Sequence, residues 1–321
     1  MVLKDTIGKE GAGMAFVSKT TKEKTRQEWV LERKEIAKQQ LLRVPALIES
    51  LFRNADLTSY LQLLSRMPYY SYQNLLIIHD KYPAATVLAG FPVWQRIMAA
   101  EDSSQKVLKP EAVKNGIDLV VPFTNMIGEQ DYELTWYSVL MFDIQQTNVK
   151  NLALRKPVYI QDAKHRSHLL NAMISVLGSR YGRRIAYDPQ SSPLLSSGTK
   201  GRISDRLVTV ARGLKDEEQL YWLSEALCEL ALETNKLSQP THRLLIQCMQ
   251  FCLYEMWGLQ HSGVLTGAHQ IIPDGEHAVF LDVLQKSVFT LHQYISGAYL
   301  SERHDTEEDL DDIDIVLSPA D

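Results

Sequence analysis

The sequence predicts an α+β protein in which helices pack on a small, mainly antiparallel sheet, followed by a mostly helical half. Two observations predict this class. Apolar residues recur at helical spacing over most of the chain, and a central region changes to runs of β-branched and aromatic residues. Helices come first and strands follow, an order typical of α+β folds. A chain of 321 residues has the length for about two domains.

The first half is predicted to contain three helices and then the strands. The apolar positions of residues 22–52 suit one long helix. Asp56 caps a second helix, which ends at Met67 because the proline that follows disfavours helical geometry. Ser71 opens a third helix, which stops near Pro83. Strands are predicted at 86–91, 117–123 and 134–142, with a weaker one at 158–160 and a polar loop with a helical turn at 99–116.

The second half is predicted to be helical with a small sheet. Strands are expected at 184–187 and 207–211, on either side of a loop at 189–201. Helices are expected at about 163–180, 216–234, 240–257 and 276–299. We divide the chain into an arm with the start of the first helix (1–40), an α+β domain (41–160), a helical domain (161–300) and an acidic tail (301–321).

Charge is distributed unevenly along the chain, whose net charge is −5. Residues 301–321 hold nine acidic residues and one arginine, so the rest of the chain carries about +3. Residues 1–43 alone contain ten Lys or Arg against six Asp or Glu. An acidic chain end is typically a solvated segment. The alternative is that the tail competes with DNA for the basic surface or imitates DNA to a partner.

Cysteine content and hydropathy predict the compartment. Three cysteines cannot make a disulfide framework in a chain of this length, which favours the reducing cytoplasm. No apolar run reaches the ~18 residues of a membrane helix. The N-terminal residues also lack the long apolar stretch of a secretory signal. We therefore expect a cytoplasmic protein without a membrane partner.

A stretch rich in aromatic residues is the candidate nucleic-acid site. Residues 69–82 read YYSYQNLLIIHDKY, and a Trp-Gln-Arg run follows the first strand. Aromatic rings stack on any base and basic side chains neutralise phosphates, so this composition predicts a groove for single strands. The alternative is that the aromatic residues are core residues with polar tips. The candidate residues are Tyr69, Tyr72, Asn74, Trp94, Arg96, Lys106, Lys109 and Lys114.

Three segments, in this order, resemble ArdC-like antirestriction proteins. They are YQNLLII at 72–78, YPAATVLAGF at 82–91 ahead of Trp94-Gln95, and FDIQQT at 142–147. The resemblance covers about residues 40–160. It implies a domain that binds single-stranded DNA and protects the incoming DNA of a mobile element or phage. The glycine-bearing loop that the family carries after the tryptophan is absent from residues 97–114, so we expect the backbone to approach phosphates less closely.

In the same family, the C-terminal half resembles a zincin metallopeptidase, in which H-E-x-x-H places two zinc ligands and a general base on one helix. The corresponding residues here read Cys228-Glu229-Leu230-Ala231-Leu232, so neither histidine is present. A hydrolytic zinc site needs about three protein ligands, and this stretch offers one. The resemblance therefore implies a degenerate metallopeptidase shell, for which we expect no cofactor and no catalysis.

The cysteines and two histidines are alternative metal ligands. Cys248 and Cys252 lie one helical turn apart, and Cys228 can approach them in a three-thiolate site. The same residues pack well as small hydrophobic side chains, which we favour. His165 and His168 also share a helix face, within a polar run that favours a solvated surface.

The sequence thus predicts a non-enzymatic, single-stranded-DNA-binding protein with an antirestriction role. Its C-terminal half or acidic tail is the expected surface for a host-defence or element-encoded protein. Two alternatives stay open at this stage. One is a metallopeptidase-like enzyme with unorthodox zinc ligands, and the other is an interaction protein whose acidic end imitates DNA.

Overall fold

The computed structural model describes residues 25–100, 106–126, 132–150, 163–188, 201–204, 206–235, 237–259 and 271–305. Most of the predicted arm, the predicted strand at 158–160, most of the loop at 189–201 and most of the acidic tail lie outside the described residues. The described elements confirm the α+β class.

The described elements are eight α-helices, six strands and three short 3-10 helices. The helices are α1 (Arg26–Arg53), α2 (Leu57–Arg66), α3 (Tyr72–Lys81), α4 (Phe91–Ala100), α5 (Ala163–Tyr181), α6 (Asp216–Ala231), α7 (Gln239–Trp257) and α8 (His277–Asp305). The strands are β1 (Leu88–Gly90), β2 (Ile117–Met126), β3 (Tyr132–Asp143), β4 (Arg184–Asp188), β5 (Gly201–Ile203) and β6 (Leu207–Ala211). The 3-10 helices are Pro110–Lys114, Ile144–Gln146 and Asp274–Glu276. Among the described helices, none is both long enough and apolar enough to cross a membrane.

Two of the first three helices begin with side-chain caps. At α1, the Thr25 hydroxyl accepts a hydrogen bond from the Glu28 amide, and the Glu28 carboxylate accepts one from the Thr25 amide at 2.7 Å. Ser71 accepts from the Asn74 amide at the start of α3. Asp56 precedes α2 as predicted, but its side chain makes no capping bond. The Ser71 cap agrees with the predicted start of α3, whereas α1 begins at Arg26 rather than at residue 22 because Thr25 caps it.

The first sheet has the strand order β1-β3-β2, and both pairs are antiparallel. β1 pairs only with residues 141–143, whereas β2 pairs with β3 from Ile117 opposite Met141 to Met126 opposite Tyr132. The outer parts of β2 and β3 therefore extend beyond β1 as a two-stranded ribbon.

The second sheet has the order β4-β6-β5, with β4 parallel and β5 antiparallel to β6. The sequence predicts β4 and β6 but misses β5, whose three residues begin with Gly201, at the end of the predicted loop. The sequence also misses α4, because the β-like run that ends at Phe91 hides a helix start. Pro92 lies in the first turn of α4, where a proline is tolerated.

One buried hydrophobic cluster runs through both halves of the chain. α2 packs on α7, where the Cys252 thiol lies 3.7 Å from the Leu61 carbonyl oxygen. The Gln285 amide of α8 donates to the Pro68 carbonyl at 2.7 Å. Residues on both sides of the domain boundary predicted near residue 160 therefore belong to the same hydrophobic core.

Candidate nucleic-acid interface

A small second core lies beside the first sheet and contains Trp94. Its buried members are Trp94, Leu108, Ala112 and Phe142. The Trp94 ring is 0% exposed, and its indole N–H donates to the Phe142 carbonyl at 2.9 Å. A ring with no exposed surface cannot stack on a base. The structure therefore corrects the expectation for Trp94, which is a core residue with a satisfied polar tip.

Asn74 is also a structural residue rather than an exposed one. Its side-chain amide donates to the Val120 carbonyl and accepts from the Val120 amide, both at 2.8 Å. The residue is 6% exposed, and this pair of bonds holds α3 against the outer edge of β2. The structure therefore also corrects the expected contact between Asn74 and DNA, because the polar groups of Asn74 already have partners inside the protein.

The predicted cations lie on the segments that enclose the small core. Arg96, Lys106 and Lys114 are exposed and make no ion pair with any carboxylate in the described part of the chain. Lys109 is half-buried, and its ammonium donates to the Gln145 carbonyl at 2.6 Å. We call these four residues the lysine surface.

The predicted tyrosines are partly exposed. Tyr69 is 40% exposed and leans against Tyr70, with ring centroids 4.8 Å apart. Tyr72 is half-buried, and burial raises the pKa of its hydroxyl, with a smaller contribution from Asp282 of α8. Tyr72 also lines a groove of about 810 Å³ between α1 and the start of α8.

The structure separates these tyrosines from the lysine surface. At the C-terminal end of α3, Lys81 donates to the Gly116 carbonyl, and the Tyr82 hydroxyl donates to the Gln145 side chain at 2.9 Å. Tyr72 lies at the other end of the same ten-residue helix, roughly 15 Å away at 1.5 Å per residue. The predicted residues therefore form two groups at opposite ends of α3.

Residues 142–147, which carry part of the family resemblance, form a structural junction. Asp143 is fully buried, and its carboxylate accepts from the amides of Thr86 at 2.6 Å and Val87 at 3.0 Å. The Gln146 amide donates to the Asn115 carbonyl at 3.0 Å. This segment joins β3 to the residues before β1 and to the loop that carries the three lysines of the lysine surface. Its residue types are therefore explained by hydrogen bonds within the fold.

Three exposed rings of the first half lie elsewhere and were missed from the sequence. Trp29 of α1 is 51% exposed, and Phe123 and Trp136 of the β2–β3 ribbon are 53% and 39% exposed. In the sequence, these residues were counted as apolar positions of a helix and two strands. Strand alternation alone does not say which face of a ribbon is covered, so the pattern contained no signal for their exposure.

Two cations of α1 lie against aromatic rings of this region, one on Trp29 and one on Tyr137 of β3. The Arg33 guanidinium carbon is 5.6 Å from the Trp29 ring centroid, and the Lys34 ammonium is 5.3 Å from that of Tyr137. The Tyr137 ring meets Phe123 edge-on, with centroids 5.5 Å apart.

In the second half, the residues at the positions of the zincin motif are unsuited to bind a metal ion. Cys228 and Leu232 are both 0% exposed, and leucine has no donor atom. Cys228, Cys248 and Cys252 are free and buried, which confirms the prediction of core packing. Burial raises the pKa of all three thiols, that of Cys252 to about 12. Because zinc binds the thiolate, these buried thiols are poor ligands.

Two glutamates near the C-terminal end of α6 line a cleft. Glu229 and Glu233 are exposed and line a cleft of about 400 Å³ with Arg183 and His242. Arg183 lies 3.4 Å from the Glu233 carboxylate. Burial, and then the charge of Glu229, raise the pKa of Glu225. Within the described ranges, no group of three or more His, Cys, Asp or Glu side chains is arranged to hold a metal ion.

Comparisons with known proteins identify the fold. No family model and no curated protein matches the chain. The metal-free crystal structure of the antirestriction protein ArdC from plasmid R388 matches with a TM-score of 0.50 and 9% identity, over 80% of this chain and 98% of that chain. The chain has an ArdC-like fold. The Mn(II)-bound crystal structure of the same protein has a TM-score of 0.49 and 9% identity, over 79% and 97%. The resemblance seen in the sequence is thus confirmed at the level of the fold.

Proposed function

We propose that this protein is a non-enzymatic, single-stranded-DNA-binding protein with an antirestriction function. The observation that carries the proposal is the ArdC-like fold, which spans 98% of the ArdC chain. Three segments of the sequence, within residues 72–147, also resemble the ArdC-like family. The coincidence of fold and local sequence supports a shared class of function more strongly than either observation alone.

The lysine surface supports a polyanionic partner. Arg96, Lys106 and Lys114 are exposed without a carboxylate partner in the described part of the chain, so their charges are available to phosphates. Such contacts are independent of base sequence and release counterions, which makes affinity fall steeply as salt rises. This property suits a protein that protects DNA of any sequence.

The non-enzymatic part of the proposal is supported by the motif residues. A hydrolytic centre needs about three ligands and an open coordination position. Cys228 and Leu232 stand where the family motif has histidines, and both are fully buried. Glu229 is left without the metal-bound water on which a zincin glutamate acts.

A titration of labelled oligonucleotides tests the binding. We expect fluorescence anisotropy to show tighter binding to a single strand than to a duplex of the same length, with affinity falling as salt rises. Replacing Arg96 and Lys114 by glutamine is expected to lower the slope of log K against log salt by roughly one for each lost phosphate contact. Arg212→Gln, at an exposed position in the second half, is the matched control. Absence of single-strand binding at low salt would refute the proposal.

A transformation assay tests the biological role. Cells that carry a restriction enzyme are transformed with unmodified plasmid, with and without this protein. We expect more transformants when the protein is present, and an equal gain with the Glu229→Gln variant because no catalysis is involved. Equal transformation with and without the protein contradicts the antirestriction role. Loss of the effect in Glu229→Gln contradicts the non-enzymatic mechanism.

A further inference from the structure

The loop that carries three lysines of the lysine surface is hydrogen-bonded at both ends to the segment that follows β3. We call residues 106–115 the lysine loop. The Asn148 side-chain amide donates to the Lys106 carbonyl at 2.8 Å, and the Gln146 side-chain amide donates to the Asn115 carbonyl at 3.0 Å. Each of these two amides therefore holds the loop backbone at an exposed lysine or at the residue next to one.

Further contacts fix the lysine loop between these two ends. The Lys109 amide donates to the Gln146 carbonyl at 3.0 Å, and Leu108 forms an antiparallel bridge with Thr147. The side chains of Leu108 and Ala112 are buried in the small core beside the first sheet. The loop is thus held by hydrogen bonds along its backbone and by apolar side chains beneath it, while its first and last lysines stay exposed.

The charges of the lysine loop fit a polyanion. The loop has three lysines against one carboxylate, that of Glu111. The neighbouring Asp143 carboxylate is fully buried and accepts from the backbone amides of Thr86 and Val87, so it is satisfied inside the protein. The anchoring side chains of Asn148 and Gln146 are neutral, so they fix the loop without cancelling its positive charge.

We infer that Asn148 and Gln146 are positioning residues of the DNA-binding surface, which hold the lysine loop in the conformation in which Lys106 and Lys114 contact phosphates. This inference rests on the proposed function and deepens it, because it assigns a role to two side chains that act through the lysines. A loop that is ordered before it binds loses less conformational entropy on binding. The two amides therefore raise the affinity for DNA without adding a contact to it.

Anisotropy titrations of the full chain with a labelled 20-nucleotide oligo-dT at low salt test the inference. Asn148→Leu and Gln146→Met each remove the donor and keep the approximate size of the side chain. We expect each to weaken binding about three- to tenfold, the range of one net hydrogen bond. Asn54→Leu, which removes an exposed amide that donates to Ser50 at the end of α1, is the matched control and should bind within twofold of the wild type. Thermal unfolding of each variant checks that the fold is retained.

A double-mutant cycle shows whether the two amides act through the lysines. In a protein that carries both Lys106→Gln and Lys114→Gln, adding Asn148→Leu or Gln146→Met should weaken binding by less than twofold, because the charges that the amides position are gone. Amide hydrogen exchange supplies a second readout. It should be faster in the lysine loop of Asn148→Leu than in that of the wild type, and unchanged in the second half of the chain.

The outcomes separate this inference from the proposed function. If the wild type binds oligo-dT and the two amide variants bind equally well, the amides do not position the lysines, and the proposed function stands. Equal weakening with and without the lysines would overturn the inference, because the amides would then act on DNA directly or on the whole fold. Weaker binding with unchanged hydrogen exchange in the lysine loop would overturn it as well. If the wild type binds no oligonucleotide, the proposed function falls and the inference falls with it.

Discussion

At the scale of single residues, burial separates two tryptophans that look alike in the sequence. Trp94 and Trp29 both lie in helices and both have basic residues nearby in the chain. Trp94 is fully buried and donates to a carbonyl, whereas Trp29 is half exposed beside Arg33. The first therefore stabilises the fold, and the second is available to a partner.

Substitution of the two tryptophans checks this difference. Trp94→Ala is expected to lower the free energy of unfolding by about 3–5 kcal/mol, because it leaves a cavity and removes the hydrogen bond to the Phe142 carbonyl. Trp29→Ala, the matched control, should change it by less than about 0.5 kcal/mol. Urea unfolding followed by circular dichroism measures both. A Trp94→Ala protein as stable as the wild type but unable to bind DNA would show that the ring is a DNA contact after all.

At the scale of secondary-structure elements, α3 links the two groups of predicted site residues. Its start carries Tyr72 beside α8, and its end carries Lys81 beside the lysine surface. Its middle is held by Asn74 against β2 and by His79 against α2. The helix therefore spaces the two groups apart, and its polar residues Asn74 and His79 hold it to the neighbouring elements.

The pH dependence of stability tests the packing of α3 on α2. Burial lowers the pKa of His79 below its ordinary value of 6.5, although the charges of Asp56 and Asp80 act in the opposite direction. The unfolded chain therefore takes up a proton at higher pH than the folded one. The free energy of unfolding should be highest above pH 6.5 and fall as the pH drops below it.

His79→Gln supplies the comparison, because glutamine keeps hydrogen-bonding capacity toward the Ser59 hydroxyl but does not titrate. Urea unfolding between pH 7.5 and 5 should show a shallower decline for the variant than for the wild type. His292, whose pKa burial also lowers, maintains part of the decline in both proteins. Parallel curves for the two proteins would mean that His79 does not titrate differently on folding.

At the scale of the whole molecule, the two halves share one core. α2 contacts α7, and the Phe52 ring of α1 stacks on His277 of α8 with centroids 4.1 Å apart. Residues such as Leu61 and Leu64 are fully buried in this shared cluster. Removing the second half would expose this apolar surface to water.

A fragment that ends at residue 160 tests how far the first half depends on the second. We expect it to lack the cooperative urea transition of the full chain and to bind a dye specific for exposed apolar surface. Circular dichroism and dye fluorescence provide the measurements. A fragment with a sigmoidal transition and no dye binding would show that the first half folds alone, as the sequence division at 160 predicts.

The sequence by itself determined the α+β class, the positions of most helices and strands, the start of α3 at Ser71, and the loss of the zincin histidines. These features depend on local periodicity and on residue identity, which the sequence states directly. Only the tertiary structure decided that Trp94 and Asn74 are buried, that α3 separates Tyr72 from the lysine surface, and that Trp29 and Phe123 are half exposed. Strand register and helix packing bring together residues about one hundred positions apart, and no local pattern contains that information.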